Sequence, residues 1–220
     1  MTSLWERTWE HTNFAPLEGD VNTDVLIIGG GMAGVLCAYL LHHAGVPYML
    51  AEAETVCGGI TKNTTAKLTS QHGLIYDKLI RTLGVGRAKG YLSANEEALQ
   101  RYRVLCDGID CNFEEKSAYV YALNDRRKLE QELAALEKLG FHGEFAEHLP
   151  LPFSTAGAVK FSNQAQFHPL KFVSAISKGL HIYERTPVRE LIGTTAVTNR
   201  GKITAKSIIV ATHFPFLNKH

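Results

Sequence analysis

The spacing of apolar positions changes several times along the chain, and each change marks an element. Residues 25–28 (VLII) are apolar without a break, as in a strand buried on both faces of a parallel sheet. Three glycines follow at 29–31, and an apolar helix continues over 35–43 (VLCAYLLHH) until Gly45 and Pro47 end it. Residues 48–51 (YMLA) read as the second strand. A short amphipathic helix spans 76–83 and stops at Gly84. A longer one covers 87–107, with Ala88, Tyr91, Leu92, Leu99, Tyr102, Leu105 and Cys106 near helical spacing. The pattern then predicts strands at 112–115 and 117–123, and a helix over 126–139 capped by Asn124 and Asp125 and ended by Gly140. Strands at 141–148 and 158–161 flank the extended run 149–153 (LPLPF). Pro169 opens a helix over 169–178. A strand at 180–184 and apolar segments at 187–192, 194–198 and 203–211 follow, the last two predicting a hairpin. Residues 1–20 show no period. Trp5, Trp9 and Phe14 alternate with polar positions, which fits either an arm held on a domain surface or a mobile tail.

The chemistry is concentrated in residues 24–52. Gly29, Gly31 and Gly34 form G-x-G-x-x-G between the first strand and the first helix. In such a motif the first glycine allows a tight turn, the second lets a pyrophosphate approach the backbone, and the third lets helix and strand pack closely. The N–H groups and dipole of the helix start then face phosphate. Glu52 closes the second strand, where an acidic side chain accepts from ribose hydroxyls. A glycine loop that binds nothing leaves Glu52 unexplained, so the unit is read as a dinucleotide site. The segment 53–67 (AETVCGGITKNTTAK) is dense in glycine and hydroxyl residues and suits a phosphate or a flat ring. The plainer alternative is a polar loop that caps a helix at Thr64 or Thr65.

Composition narrows the function further. A chain of 220 residues has room for one large domain or two small ones. With 23 basic and 22 acidic side chains the net charge is +1, so no nucleic-acid partner is implied. No apolar run reaches the roughly 18 residues a membrane span needs. The N-terminus MTSLWER is not a signal peptide, so a cytoplasmic location is expected. Cys37, Cys57, Cys106 and Cys111 match no zinc or iron–sulfur spacing, so no metal is expected. Cys37 reads as a core residue, and Cys106 and Cys111 as structural thiols. Cys57, near the expected cofactor, is either redox-active or a small apolar residue.

A nicotinamide-type domain would repeat strand–helix units soon after Glu52. Here mixed α+β sequence intervenes before the chain returns to a helix, a small meander and a buried strand. That is the plan of a flavin-binding domain with an insertion. The expected fold is α/β: a Rossmann-like FAD-binding domain of glutathione-reductase type with an inserted α+β substrate domain, incomplete at its C-terminal end. The expected boundaries are an arm over 1–20, the cofactor domain over 21–84 and 154–220, and the insert over 85–153.

The residues carrying a family likeness are VLIIGGGMAGVLCAYLL (25–41), Glu52, the 59–67 loop, His168 and Pro169 before a helix, TPVREL (186–191) and IIVATH (208–213). On these the chain resembles the D-amino-acid-oxidase-like superfamily of FAD-dependent oxidoreductases, which includes glycine oxidase and sarcosine oxidase. The segment GGITKNTTAKLTSQHGLIY (58–76) is similar to the bacterial branch that carries a C-terminal Rieske iron–sulfur domain. The resemblance implies that Gly29, Gly31, Met32, Ala33 and Gly34 approach the FAD pyrophosphate and that Glu52 takes the adenosine ribose. It implies that Ala53 and Gly59 also bind cofactor, and that Thr61, Thr64, Thr65 and Ala66 line the pyrophosphate and flavin side. Val188 would present its backbone to adenine, and Ala211 and Thr212 would lie near the phosphates, although core packing also explains Val188 and Ala211. Lys67 would stabilise a reduced, anionic flavin, or is a solvated lysine. The family's chain continues past the ATH strand, so a longer protein is expected, with a C-terminal region or Rieske domain as partner.

The activity implied is hydride transfer from the C–N bond of a small amine or amino acid to FAD, with the electron acceptor left open. The alternatives are an incomplete nucleotide-binding fragment and a nicotinamide-dependent reductase, and the inserted α+β segment argues against the latter. His72, Tyr76 and His213 lie near the motifs, but each reads as structural, and no catalytic residue is assigned.

Overall fold

The structure is a computed structural model that describes residues 2–213. The elements run in order α1 (Leu4–Arg7), β1 (Val21–Ile28), α2 (Met32–His43), β2 (Tyr48–Ala51), a 3-10 turn (Ile60–Asn63), β3 (Lys67–Leu68), α3 (Tyr76–Leu83), α4 (Val85–Cys106), β4 (Glu114–Tyr121) and α5 (Arg126–Leu139). They continue as β5 (Glu144–Ala146), β6 (Ala158–Gln166), α6 (Pro169–Ile176), β7 (Ile182–Tyr183), β8 (Val188–Ile192), β9 (Thr195–Thr198) and β10 (Lys202–Val210). The described residues divide into two compact units, 2–65 with 168–213 and 66–167.

The first unit carries a sheet in the order β7-β2-β1-β10-β9-β8. β1 is parallel to β2, from Val25↔Tyr48 to Ile28↔Ala51, and parallel to β10, from Val21↔Ile203 to Ile28↔Val210. Leu26 and Ile27 are wholly buried, as a strand covered on both faces requires. The predicted hairpin forms between β9 and β10, with Ile203 opposite Ala196. The N-terminal segment is an arm fixed on this unit. Leu17 is buried in the core beside Leu26 and Ile203, and the Trp5 indole N–H donates to the Thr64 carbonyl at 2.8 Å.

The second unit is organised on β6, which pairs antiparallel with β3, β4 and β5. Its core joins Tyr76, Leu92, Leu129, Leu136 and Phe161, and burying each such side chain contributes about 1.5–3 kcal/mol. Several expectations change here. The short strand at 158–161 extends to Gln166 because β3 and β4 supply partners for its polar half. The two strands at 112–115 and 117–123 are one, with an irregularity between Lys116 and Ala118. Only residues 144–146 of the expected 141–148 strand pair. No helix is capped at Thr64 or Thr65: Thr64 closes the 3-10 turn and Lys67 opens β3.

The unit boundaries also differ from 84/85 and 153/154. Residues 66–84 and 154–167 join the second unit, because β3 and β6 belong to its sheet and Tyr76 stacks on Phe161 at 6.2 Å between centroids. The 1–20 arm joins the first unit, and residues 214–220 of the expected cofactor domain lie outside the described residues.

Candidate functional site

The C-terminal ends of β1, β2 and β10 come together at one edge of the first unit's sheet, and a groove of about 410 Å³ opens there. Residues 28–33, 51–53, 55, 57–61, 188 and 211–213 line it. Two glycines of the motif do different work. A Cβ on Gly34 would stand 1.9 Å from the Gly29 carbonyl oxygen, so α2 can lie against the β1 turn only if that residue has no side chain. A Cβ on Gly31 would meet only the Thr61 hydroxyl, at 3.8 Å, so this bare Cα faces open space in the groove.

Gly31 is the N-cap of α2 and offers no side-chain cap, and the first turn carries no acidic residue. The Met32 N–H donates to Thr61 Oγ1 at 3.3 Å. The remaining first-turn N–H groups and the helix dipole are therefore available to an anion. A glycine cradle, uncapped donors and an adjoining carboxylate fit the pyrophosphate and ribose of a dinucleotide.

That carboxylate is Glu52, and the structure shows how it is aimed. Its Oε2 accepts from the Gly30 N–H at 2.6 Å and its Oε1 from the Glu54 N–H at 2.9 Å. Its own backbone is held on both sides, N–H to the Tyr183 carbonyl at 2.8 Å and carbonyl from the Thr186 N–H at 2.9 Å. Two lone-pair positions are thus used to brace the glycine loop, leaving the others for ligand hydroxyls.

A second carboxylate, Glu184, went unassigned in the sequence. It is wholly buried and accepts from the Val56 N–H at 2.7 Å and the Phe14 N–H at 3.2 Å, with the Arg185 guanidinium at 3.3 Å and the His11 imidazole at 3.6 Å. It ties the N-terminal arm to the turn that lines the groove. The only sequence signal was an acid ending an apolar strand.

Of the residues singled out from sequence, Gly29, Gly31, Met32, Ala33, Glu52, Ala53, Gly59, Thr61, Val188, Ala211 and Thr212 line the groove. Gly34 packs beneath it. Thr64, Thr65, Ala66 and Lys67 do not line it: the Thr64 carbonyl receives Trp5, Ala66 is buried at φ +58°, and Lys67 begins β3. Val188 both lines the groove and packs on the core. Further lining residues are Ile28, Gly30 and Ala51, which the sequence did not assign, Thr55, Gly58 and Ile60, which it read only as part of the 53–67 segment, and Cys57 and His213, which it placed near the motifs without a cofactor-binding role. Most of these neighbour a motif residue, so a wider window around each motif would have included them.

The Cys57 thiol is buried, and burial pushes its pKa up to about 12, so it is a neutral wall of the groove at ordinary pH. All four cysteines are free thiols; Cys106 and Cys111 are buried and Cys37 is half-buried. Tyr76 is a core residue whose hydroxyl donates to the Ser70 carbonyl at 2.5 Å, and burial raises its pKa. His72 shares a 2.9 Å hydrogen bond with the Tyr91 hydroxyl. Among the described residues no group of three or more His, Cys, Asp or Glu side chains is placed to hold a metal ion, and no helix is long and apolar enough to cross a membrane.

Comparison with known proteins gives this geometry a family. YhfW of Bacillus subtilis (strain 168), named as a Rieske 2Fe-2S iron–sulfur protein, is 36% identical over 97% of this chain and 45% of its own length. Gamma-glutamylputrescine oxidoreductase of Escherichia coli (strain K12) is 25% identical over 92% of this chain and 51% of its own. The chain thus spans about half the length of the curated relatives it matches. Glycine oxidase from Bacillus cereus ATCC 14579 shares the fold, with a TM-score of 0.64 at 23% identity, covering 86% of this chain and 55% of that one. The model of the DAO family, FAD dependent oxidoreductase, matches residues 24–217, and the chain belongs to that family.

Proposed function

We propose that the first unit holds FAD in the groove at the ends of β1, β2 and β10, within a protein that oxidises an amine or amino acid at its C–N bond. The observation that carries this is the groove: a glycine cradle open at Gly31, uncapped helix donors, and Glu52 braced against the glycine loop. The N–H groups of the α2 start that are left free by the Met32–Thr61 bond receive the pyrophosphate, Glu52 receives the ribose hydroxyls, and the Val188 backbone borders the adenine. Thr61 and the segment 64–67, which continues from the lining turn, are assigned to the flavin side. When bound, FAD supplies the hydride acceptor. The chain's own residues orient the cofactor and neutralise its phosphate charge through fixed dipoles. Glu184 acts through Val56, keeping the lining turn in place.

Support for the substrate class comes from the family and from relatives named for glycine and gamma-glutamylputrescine. Bound FAD would need an acceptor to reoxidise it, and the name of YhfW makes a 2Fe-2S Rieske centre the first to test. A cytoplasmic location is assigned on the free thiols. A nicotinamide-dependent reductase is not retained, since the family is FAD-dependent.

Adding FAD to purified protein, removing the excess and recording the flavin spectrum tests the cofactor assignment. Dye reduction by amines and amino acids tests the reaction. Retained flavin with amine-dependent dye reduction is the expected result. A chain that stays colourless, or binds NADH in place of FAD, overturns the proposal.

A further inference from the structure

We infer that Trp5 and Glu6 are positioning residues of the groove: they clasp the 3-10 turn that carries Thr61, and the grip of the arm sets how fast the cofactor leaves. The inference rests on the groove holding FAD, as proposed above. Thr61 lines the groove, and its Oγ1 accepts from the Met32 N–H at the start of α2. Its place therefore depends on the turn Ile60–Asn63, which is weakly held by itself. None of the turn's residues is buried, and Ile60 is 63% exposed. The bonds inside it are local and long, from the Thr64 N–H to the Thr61 carbonyl at 3.4 Å and from Asn63 Nδ2 to the Gly59 carbonyl at 3.2 Å. A short 3-10 turn with no buried side chain has little stability of its own.

The arm supplies what the turn lacks. The Trp5 indole N–H donates to the Thr64 carbonyl at 2.8 Å, just after the turn, and Lys62 Nζ donates to Glu6 Oε1 at 2.8 Å, within it. Both bonds are shorter than those inside the turn. Both arm residues are themselves fixed. Glu6 closes a capping box on α1, its Oε2 accepting from the Ser3 N–H at 3.0 Å and its N–H donating to Ser3 Oγ at 3.2 Å. The Trp5 ring meets the His168 ring edge-on at 5.0 Å. His168 Nδ1 accepts from the Lys171 N–H at 3.2 Å, so its Nε2 bears the proton and donates to Thr8 Oγ1 at 3.0 Å. Thr12 and Ser174 share a further hydroxyl bond at 2.6 Å. α6 thus anchors the arm, and the arm holds the turn from outside the groove. Neither Trp5 nor Glu6 lines the groove, so each acts on the cofactor only through the turn and Thr61.

The two tryptophans of the arm provide the test. FAD affinity and release from the full chain are read by flavin fluorescence, with folding followed by circular dichroism. Trp5→Phe keeps an aromatic ring and loses the N–H, and it should weaken FAD by about three- to tenfold, mostly through faster release. The Trp9 indole N–H is buried without a hydrogen-bond partner among the described residues, so Trp9→Phe should leave FAD affinity unchanged. Glu6→Gln separates a clasp from a charge effect by sign. Removing a negative charge favours a pyrophosphate through space, so a charge effect alone tightens FAD, whereas loss of the clasp weakens it by about twofold or more. Should Trp5→Phe fail to fold, Glu6→Gln decides. Equal FAD affinity in Trp5→Phe and Trp9→Phe, or tighter FAD in Glu6→Gln, would overturn the inference. Trypsin digestion without FAD gives a second reading: cleavage after Lys62 should speed up in Trp5→Phe and Glu6→Gln and not in Trp9→Phe. A wild-type chain that takes up no FAD counts against the cofactor groove; faster cleavage in the two variants then still supports the clasp, and unchanged cleavage overturns it as well.

Discussion

The strands β7, β2, β1 and β10 of the first unit run in one direction, while the second unit is assembled on β6 by strands that run opposite to it. In the first, strand ends collect at one edge, and the loops that leave them converge there. Two of its acids, Glu52 and Glu184, accept from loop N–H groups around that edge. In the second unit the buried acid is Glu132 on α5, which accepts from the Tyr76 and Asp77 N–H groups at 2.8 and 3.0 Å. It caps α3 and touches no cavity described above. The carboxylates of the parallel sheet thus act on loops that face the groove, and the buried carboxyl of the antiparallel unit holds a helix start in the core.

The sharpest way to break that contrast is at the glycines. Gly34→Ala forces a Cβ within 1.9 Å of backbone and should cost more than about 4 kcal/mol, leaving the first unit unfolded by circular dichroism. Gly31→Ala, with open space around it, should keep the melting temperature within a few degrees yet lose most FAD affinity in a flavin titration. Equal damage from both would erase the distinction between packing and binding glycines.

Next in size is Glu132→Ala, which strands two N–H groups at the α3 start and should cost about 2–4 kcal/mol in urea unfolding. Burial raises the pKa of Glu132, against opposing backbone hydrogen bonds from Asp77, Tyr76 and Ile75. The protonated form is thus favoured in the folded chain. Its contribution to stability is whole below the usual carboxylate range and is lost as pH rises through the raised value. Glu132→Gln cannot ionise and should flatten that part of the stability profile; an unchanged slope would show that another group is responsible.

Glu184→Gln keeps one acceptor oxygen and should cost about 1–3 kcal/mol, with a smaller loss of FAD affinity through the Val56 turn. Glu52→Gln should fold and weaken FAD by about tenfold, because a neutral amide is a poorer acceptor for ribose hydroxyls. The smallest effect is chemical. Cys57, with its pKa near 12, should resist iodoacetamide at pH 8 in the native chain, and rapid labelling would place its thiol in solvent.

How much could be read in advance follows the same division. The β1–α2–β2 unit was legible because its signals are local: an apolar run, glycines at fixed spacing, and an acid at the end of the next strand. The far half of β6 was not. Ser162, Asn163 at φ +56°, Gln164 and Gln166 break the two-residue alternation, and only pairing with β3 and β4 makes them a strand. The unit boundary moved for that reason, since β3 lies ninety-odd residues from its partner in sequence. Thr64 to Lys67 were assigned through the family resemblance, with no local signal of their own, and they are not among the residues that line the groove.

By itself the sequence determined that a glycine loop of dinucleotide-binding pattern exists, which glycine must stay small for packing, and which family the chain resembles, because those depend on residue types at fixed positions along the chain. Only the tertiary structure decided that Glu184 braces the groove from 128 residues away, that Glu132 caps α3 from 56 residues away, and that Trp5 holds the Thr64 carbonyl from 59 residues away. Burial and hydrogen-bond satisfaction are properties of neighbours in space, and a side chain's neighbours are known only once the sheets have formed.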